Sequence, residues 1–293
     1  MKICADNVSM QFKTHNALTN VSFQLESGKT YGLIGRNGAG KTTLLSLLAS
    51  CRIPDEGLIT IDGQDPFENT KVMSRVALVF ETDYSDSHEP VTDYFDFAER
   101  YRPYFDRAYA EDLAARFKLP LDRPVHKFSK GMQSALNVTL GLASRSPVTI
   151  FDEAYSGMDA PTREIFYKEV VEEQSRHPRT IILSTHLVSE MDYLFDEVLI
   201  LHHGRLILHD SQENLVSKSA VITGSAGIVD RFTTGMKVFG TEQLGGTKAV
   251  KVMGQLTHDQ LAQAEDHGLD VSSVTLQDLF ISITEEENVH AER

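Results

Sequence analysis

The stretch GRNGAGKT at Gly35–Thr42 decides the fold of this chain. It matches the pattern GxxxxGK[ST] in full, and it lies between the apolar runs TYGLI at 30–34 and TLLSLLAS at 43–50. This placement predicts a buried strand, a glycine-rich turn and a helix. Glycines let the backbone turn so that successive N–H groups point inward, and the helix adds its positive N-terminal end. The sequence therefore predicts a phosphate-binding loop.

The loop and the start of its helix supply most of the predicted nucleotide contacts. Lys41 is placed to reach the outer phosphates of a nucleotide, and the Thr42 hydroxyl to bind Mg²⁺. The full set of residues predicted here for nucleotide binding is Gly35, Arg36, Asn37, Gly38, Ala39, Gly40, Lys41, Thr42 and Thr43.

A second apolar run, VTIFDE at 148–153, ends in two carboxylates. Such a run predicts a strand of a parallel sheet, whose carboxyl end faces the ligand crevice. We expect Asp152 to hold Mg²⁺ through its water shell and Glu153 to polarise an attacking water. Together with the phosphate loop, this pair indicates a nucleotide hydrolase.

The order of elements predicts an α/β protein with added parts. The first 60 residues are typical of strands, and apolar strands alternating with helices indicate a mostly parallel sheet. We predict an antiparallel β subdomain at the start and a helical subdomain inserted at about 84–146. We place the end of this first domain, 2–218, where the pattern restarts. The segment 219–293 predicts a small α+β appendage that ends in a frayed acidic tail from 285.

Composition excludes several classes of protein. The chain has 293 residues and a formal charge of −14, from 28 Lys and Arg against 42 Asp and Glu. So acidic a chain argues against a protein that coats nucleic acid or adheres to anionic lipid. No apolar run approaches the roughly 20 residues that span a bilayer, so we expect no direct membrane insertion. Two cysteines without a CxxC pattern fit a reducing, cytoplasmic setting.

The segment FSKGMQSAL, from Phe128, narrows the choice of family. It places Ser129 at a helix N-cap and Gly131 where a close backbone approach is needed. Here the chain resembles the ATP-binding cassette (ABC) family, whose signature is usually written LSGGQ. The resemblance implies a P-loop NTPase cassette that dimerises head to tail around two ATP. It also implies that Ser129, Lys130, Gly131 and Met132 contact the ATP of the other subunit.

Three more landmarks follow from the resemblance. Phe12 stands where the family has an aromatic residue that stacks on adenine. Asp159 ends SGMD, which is similar to the D-loop that crosses the dimer interface, and it is expected to contact ATP. His186, in STH, matches the switch histidine that senses the γ-phosphate. The resemblance covers about residues 2–218 and implies that Glu153, His186 and Lys41 are catalytic.

The chain departs from the family pattern at several positions. Glu81 stands where the family has the glutamine of its Q-loop, which touches Mg²⁺ and couples nucleotide to partner. A carboxylate still binds Mg²⁺, so Glu81 stays an expected ligand beside Thr42 and Asp152. Lys130 replaces the first signature glycine, and Met132 replaces the terminal glutamine. None of these changes removes the catalytic carboxylate, so the sequence predicts an active ATPase.

The resemblance implies a transport role. The FSKGM form is similar to cassette subunits of bacterial exporters, which work with separate transmembrane subunits. We therefore expect a peripheral protein on the inner face of the cell membrane, held there by its partner, with a homodimer favoured because the motifs look intact. Two alternatives stay open. One is an ABC ATPase without a transport role, in iron–sulfur assembly or translation. The other is a nucleotide-binding regulator without turnover.

Aromatic residues crowd the predicted helical subdomain. We expect them to pack its interior, with the alternative that they form a socket for a membrane partner. They are Tyr94, Phe95, Phe97, Tyr101, Tyr104 and Phe105.

Overall fold

The structure is a computed structural model that describes the backbone of residues 1–291 and the side chains of residues 1–285. Its contacts divide the chain into two compact units. The first contains Met1–His186 and Tyr193–His209, and the second contains Leu187–Asp192 and Asp210–Arg293. The boundary between the two domains that the sequence predicts, at residue 218, stays a prediction.

The elements follow one another with short connections. Up to residue 186 they are β1 (Ile3–Phe12), β2 (His15–Leu25), β3 (Thr30–Ile34), α1 (Lys41–Leu48), β4 (Glu56–Ile61), α2 (Thr70–Met73), β5 (Val76–Phe80), α3 (Val91–Tyr101), α4 (Arg107–Arg116), α5 (Lys130–Ala143), β6 (Val148–Asp152), α6 (Ala160–Arg176) and β7 (Thr180–Thr185). The rest are α7 (Val188–Met191), β8 (Glu197–His202), β9 (Arg205–Ser211), α8 (Gln212–Ser217), β10 (Ser219–Ser225), α9 (Ala226–Phe232), β11 (Lys237–Leu244), β12 (Thr247–Met253), α10 (His258–Asp266), β13 (Asp270–Ser273) and α11 (Leu276–Ala291). Single 3₁₀ turns lie at Val125–Lys127 and Asp192–Leu194.

The main sheet of the first unit has the strand order β5-β6-β7-β3-β8-β9. The pairs from β5 to β8 are parallel, and β3, β6 and β7 are buried along their whole length. Parallel sheets are covered on both faces, which explains their continuous apolar runs. The carboxyl ends of β3, β6 and β7 therefore meet at one edge of the sheet. The predicted mostly parallel α/β core is confirmed.

A smaller antiparallel sheet, ordered β2-β1-β4, packs on this core. One apolar cluster joins residues of both sheets and of α1, including Leu18, Leu44, Ile150 and Ile182. The predicted antiparallel β subdomain is therefore present, and its core is continuous with that of the main sheet.

Helices α3, α4 and α5 lie between β5 and β6 in the chain, as the predicted helical insertion requires. Helix α5 approaches the sheet closely at Gly141, where an added Cβ would lie 2.5 Å from a methyl group of Val79. Asp106 and Ser129 cap the starts of α4 and α5, since their side chains accept hydrogen bonds from the backbone N–H groups of Tyr109 and Met132. The predicted N-cap at Ser129 is confirmed.

The second unit contains a sheet with the order β11-β12-β10-β13, in which every pair is antiparallel. With α9 and α10, its strands follow the β-α-β-β-α-β succession of ferredoxin-like folds. Ile222, Val229 and Val252 lie in its apolar core. The α+β character is as predicted, but the prediction that a frayed tail begins at residue 285 is wrong. Helix α11 continues to Ala291, and the last two residues of that tail lie outside the described residues.

Candidate active site

The phosphate loop connects β3 to α1, as predicted from the sequence. Gly38 and Gly40 have positive φ values of 81° and 104°, a conformation that side chains rarely adopt. A Cβ on Gly40 would lie 2.5 Å from the carbonyl oxygen of Ala17, and a Cβ on Gly35 would lie 2.6 Å from that of Leu201. Glycine is therefore required at both positions by space, and at Gly40 by conformation as well.

Lys41 begins α1 with its side chain only 6% exposed. Its Nζ donates to the carbonyl oxygens of Gly35, at 2.7 Å, and Arg36, at 3.3 Å. It also lies 3.3 Å from Glu153 Oε1. The loop thus curls around the ammonium group, which is held beside the carboxylate that follows β6.

Glu153 is the centre of a contact network at the sheet edge. Its Oε2 lies 3.2 Å from His186 Nδ1, so its carboxylate stands between Lys41 and His186. Its φ of 46° is unusual for a residue with a side chain and costs about 1–3 kcal/mol, the kind of strain that concentrates at functional sites.

Ser184 on β7 bridges the Asp152 carboxylate and the Glu153 backbone. Its hydroxyl donates to Asp152 Oδ1 at 2.6 Å and accepts from the backbone N–H of Glu153 at 3.0 Å. Asp152 and Ser184 are paired in the β6–β7 register, which makes this contact a result of strand alignment. Sequence reasoning missed Ser184, because nothing local to it predicts which strand lies beside β7.

A cleft of about 580 Å³ is lined by Lys41, Asp152 and Glu153, whereas Ser184 and the predicted His186 are not among its lining residues. This volume lies within the range of small-molecule sites. Its lining includes most of the predicted set, namely Phe12, Asn37, Gly38, Gly40, Lys41, Thr42, Thr43, Glu81, Asp152 and Glu153. His15, Ala17, Phe80 and Ser156 line it as well and were not predicted. Gly35 and Ala39 are buried within the loop, while Arg36 is exposed.

Phe12 marks one end of the cleft. It is 36% exposed and pairs with His15 across the β1–β2 turn. The guanidinium carbon of Arg52 lies 5.0 Å from the centre of the Phe12 ring, within cation–π range. This contact holds the ring in place beside the cleft, and its partners are too far apart in the sequence to be foreseen.

Other predicted residues lie outside the lining of the cleft. Ser129, Lys130, Gly131 and Met132 form the start of α5, and Lys130 Nζ lies 2.8 Å from Glu81 Oε1. Asp159 caps α6 by accepting a hydrogen bond from the Thr162 backbone N–H at 3.0 Å. The hydrogen bonds from Thr162 lower the pKa of Asp159. The predicted contacts of these residues with ATP stay predictions.

The oxygen atoms at the cleft fit a hard divalent cation. Mg²⁺ is usually bound by one or two carboxylates together with phosphate oxygens and water. Asp152 and Thr42 line the cleft and supply a carboxylate and a hydroxyl at the sheet edge. Glu81 has one oxygen paired with Lys130, which leaves the other for a ligand. Among the side chains that the structure describes, no group of three or more His, Cys, Asp or Glu is placed to hold a metal.

The aromatic group of the helical subdomain is divided, which corrects the prediction that it packs the interior. Phe95 is fully buried, whereas Phe97, Tyr101 and Tyr104 are 65%, 60% and 43% exposed. Phe97 and Tyr101 contact each other with ring centres 4.6 Å apart. Spacing alone does not tell which side of α3 faces the core.

The described part of the chain contains no helix with the length and apolar character needed to cross a membrane.

The model of a family described as ABC transporter matches residues 18–156. The chain is 32% identical to the ABC transporter ATP-binding protein NatA of Bacillus subtilis, over 72% of this chain and 89% of NatA. It is 30% identical to the Nod factor export ATP-binding protein I of Sinorhizobium fredii, over 72% of this chain and 63% of that protein, so it spans less than two thirds of that relative.

Among solved structures, a bacterial Atm1-family ABC exporter with ATP bound is 27% identical, with a TM-score of 0.63. The match covers 73% of this chain and 40% of the exporter chain.

Proposed function

Since this chain belongs to the family of ABC transporter ATP-binding proteins, we propose that it is the ATP-hydrolysing subunit of an exporter. The chain is an ATPase of this family. The observation that carries the proposed site is the position of the Glu153 carboxylate, between Lys41 and His186 at the wall of a cleft of nucleotide size.

The proposed roles follow from these contacts. Glu153 takes a proton from the attacking water, because its carboxylate is partly exposed to the cleft and fixed through its backbone by Ser184. His186 orients the γ-phosphate from the other side of that carboxylate. Lys41 neutralises charge that develops on the phosphate during transfer. Thr42 and Asp152, with Glu81 nearby, would hold Mg²⁺, which would supply positive charge at the phosphate oxygens.

We propose a head-to-tail dimer around two ATP. The signature residues 129–132 do not line the cleft of their own subunit. Ser129 and Lys130 are exposed at the start of α5, where they are accessible to a second copy. Two equal sites favour a homodimer.

The exposed aromatic side chains of the helical subdomain indicate a surface that binds a partner protein. Large exposed aromatic residues such as Phe97, Tyr101 and Tyr104 are enriched at interfaces. We propose that they receive a separate transmembrane subunit, which holds this chain at the cytoplasmic face of the membrane. We propose that 2–218 carries the ATPase and that 219–293 adds an α+β domain, to which the compact second unit joins 187–192 and 210–218.

Export is the proposed direction because of the FSKGM signature at 128–132 and the likeness to the Nod factor export ATP-binding protein I of Sinorhizobium fredii. A relative of similar identity carries the name of an importer, the spermidine/putrescine import ATP-binding protein PotA of Chromobacterium violaceum. That match is 30% identical and covers 72% of this chain and 60% of PotA. Identification of the partner subunit therefore tests the proposed direction of transport.

The test is affinity purification of Glu153→Gln from detergent-solubilised cells with MgATP, followed by mass spectrometry. Glu172→Gln, a change at an exposed carboxylate on α6, is the matched control. We expect Glu153→Gln to lose hydrolysis, to retain ATP and to retain a polytopic membrane protein at near-stoichiometric ratio. Recovery of ribosomal or iron–sulfur assembly proteins instead would overturn the transport role and leave the ATPase.

A further inference from the structure

Two departures from the family pattern contact each other. Glu81 follows β5 and Lys130 begins α5, and their side chains form an ion pair at 2.8 Å. Glu81 lines the nucleotide cleft, whereas Lys130 does not. Lys130 therefore contacts the cleft only indirectly, through the Glu81 carboxylate that lines it.

The stem of Lys130 is supported along its length. A Cβ added to Gly157 would lie 2.7 Å from Lys130 Cγ and 3.1 Å from its Cδ, so the stem lies directly on the loop after Glu153. The same loop packs on α5 at Gly131, where an added Cβ would lie 2.8 Å from the Gly157 carbonyl oxygen. This packing reduces the freedom that the long side chain loses when it forms the pair.

The segment that carries Glu81 is fastened to α5 at further points. Asn137 donates to the carbonyl oxygen of Phe80 at 3.2 Å, and the Tyr84 hydroxyl donates to Asn137 Oδ1 at 2.5 Å. Both contacts flank Glu81 in the chain. The Glu81 carboxylate itself is paired with Lys130.

Charge explains why this partner matters. Glu81, Asp152 and Glu153 line the cleft, and Lys41, the cation buried there, is already beside Glu153. A nucleoside triphosphate is anionic, so the Glu81 carboxylate would repel it if no positive charge lay beside that carboxylate. Resting on the proposed function, we propose that Lys130 is a positioning residue. It neutralises Glu81 within the same subunit and holds that carboxylate where it joins the cleft to the start of α5.

The test is a cycle of variants in the full chain, measured as the Kd for MgATP at concentrations where the chain is monomeric. Lys130→Met keeps the stem on Gly157 and removes the charge, and Glu81→Gln removes the opposite charge. Lys127→Met is the matched control, because Lys127 is exposed, lies three residues before Lys130 and has no side-chain partner among the described residues.

We expect Lys130→Met to weaken binding about two- to five-fold at low salt, the range for exposed ion pairs, and much less at high salt. In the Glu81→Gln background the same change should have no effect, and Lys130→Arg should restore binding. Lys127→Met should bind as the unchanged chain does.

Equal losses in both backgrounds would mean that Lys130 acts without Glu81, and would overturn the proposal. So would a loss seen only in the dimer, because the pair lies within one subunit. Failure of the unchanged chain to bind MgATP would instead overturn the proposed function, and this inference with it.

Discussion

At the scale of single residues, Phe12 offers the most direct test of the adenine end of the cleft. We expect Phe12→Ala to weaken ATP binding by about 1–3 kcal/mol, roughly 5- to 150-fold, because stacking of a base on an aromatic ring contributes that much. Titration of the full chain with MgATP measures the change. Phe67→Ala, at an aromatic residue 43% exposed and outside the cleft, is the control. Equal affinities for both variants would contradict adenine stacking at Phe12.

Ser184 gives a second residue-scale prediction. Ser184→Ala removes the donor to Asp152 and the acceptor for the Glu153 N–H, so the Asp152 carboxylate and the Glu153 backbone lose their common partner. We expect the hydrolysis rate to fall about tenfold with little change in the Kd for ATP, since a buried unpaired group costs 1–3 kcal/mol.

Steady-state hydrolysis and nucleotide titration distinguish the two effects. Thr180→Val, at the other end of β7, is the control, because the Thr180 hydroxyl is buried and has no hydrogen-bond partner within the part of the chain that the structure describes. Loss of ATP binding in Ser184→Ala with an unchanged rate would show that Ser184 acts on the ground state.

The residue scale also shows what sequence can predict. Lys41 and Glu153 were predicted because each belongs to a local pattern with a known chemical task. Ser184, and Arg52 beside Phe12, were missed because their contacts depend on strand register and on the meeting of distant segments. The Glu81–Lys130 pair was visible only as two separate departures.

At the scale of elements, a buried ionic network fastens α6 to the segments around it. Glu173 is 1% exposed and accepts from both Arg145 and Arg179, and Arg145 also reaches Asp106 at the cap of α4. Nearby, Glu169 accepts from the Tyr109 hydroxyl and pairs with Arg116, and burial raises the pKa of Glu169. The helical insertion is thus held to α6 by ion pairs as well as by packing.

This network predicts a large difference between adjacent residues. Glu173→Ala leaves two arginine side chains without their buried partner and should lower the free energy of unfolding by about 3–5 kcal/mol. Glu172→Ala removes an exposed pair with Arg176 and should cost less than about 0.5 kcal/mol. Urea unfolding of both variants makes the comparison. Similar losses would show that the buried pairs contribute no more than a surface pair.

Elements were predicted better than their pairing. Apolar runs and turn residues indicate the strands and helices of both units, since those signals are local. The order of strands in the second unit joins β10 to β12 and β13, and no local signal specifies this choice. The exposed face of α3 was missed for a related reason, because aromatic residues occur on both of its sides.

At the scale of the whole molecule, the chain passes between the two units three times, at 186/187, 192/193 and 209/210. Helix α7 belongs to the second unit, where α11 packs against it, and its Val188 and Met191 are buried. The second unit is therefore built from two separate stretches of sequence.

A truncation after His209 should consequently expose α7. We expect the shortened chain to bind a hydrophobic dye and to melt at a lower temperature than the full chain. Thermal unfolding followed by dye fluorescence measures both. An unchanged melting temperature after the truncation would show that α7 is stable without the rest of its unit.

The interleaved chain also sets a rule for recombination between relatives. A crossover placed at residue 209 would transfer β10 to α11 from one parent and leave α7 from the other, so the new unit would meet a foreign helix at its own core. A chimera that keeps its contacts must exchange 187–192 together with the segment from 210 onward. The two stretches of the second unit must therefore be exchanged together, and the shorter stretch begins directly after His186.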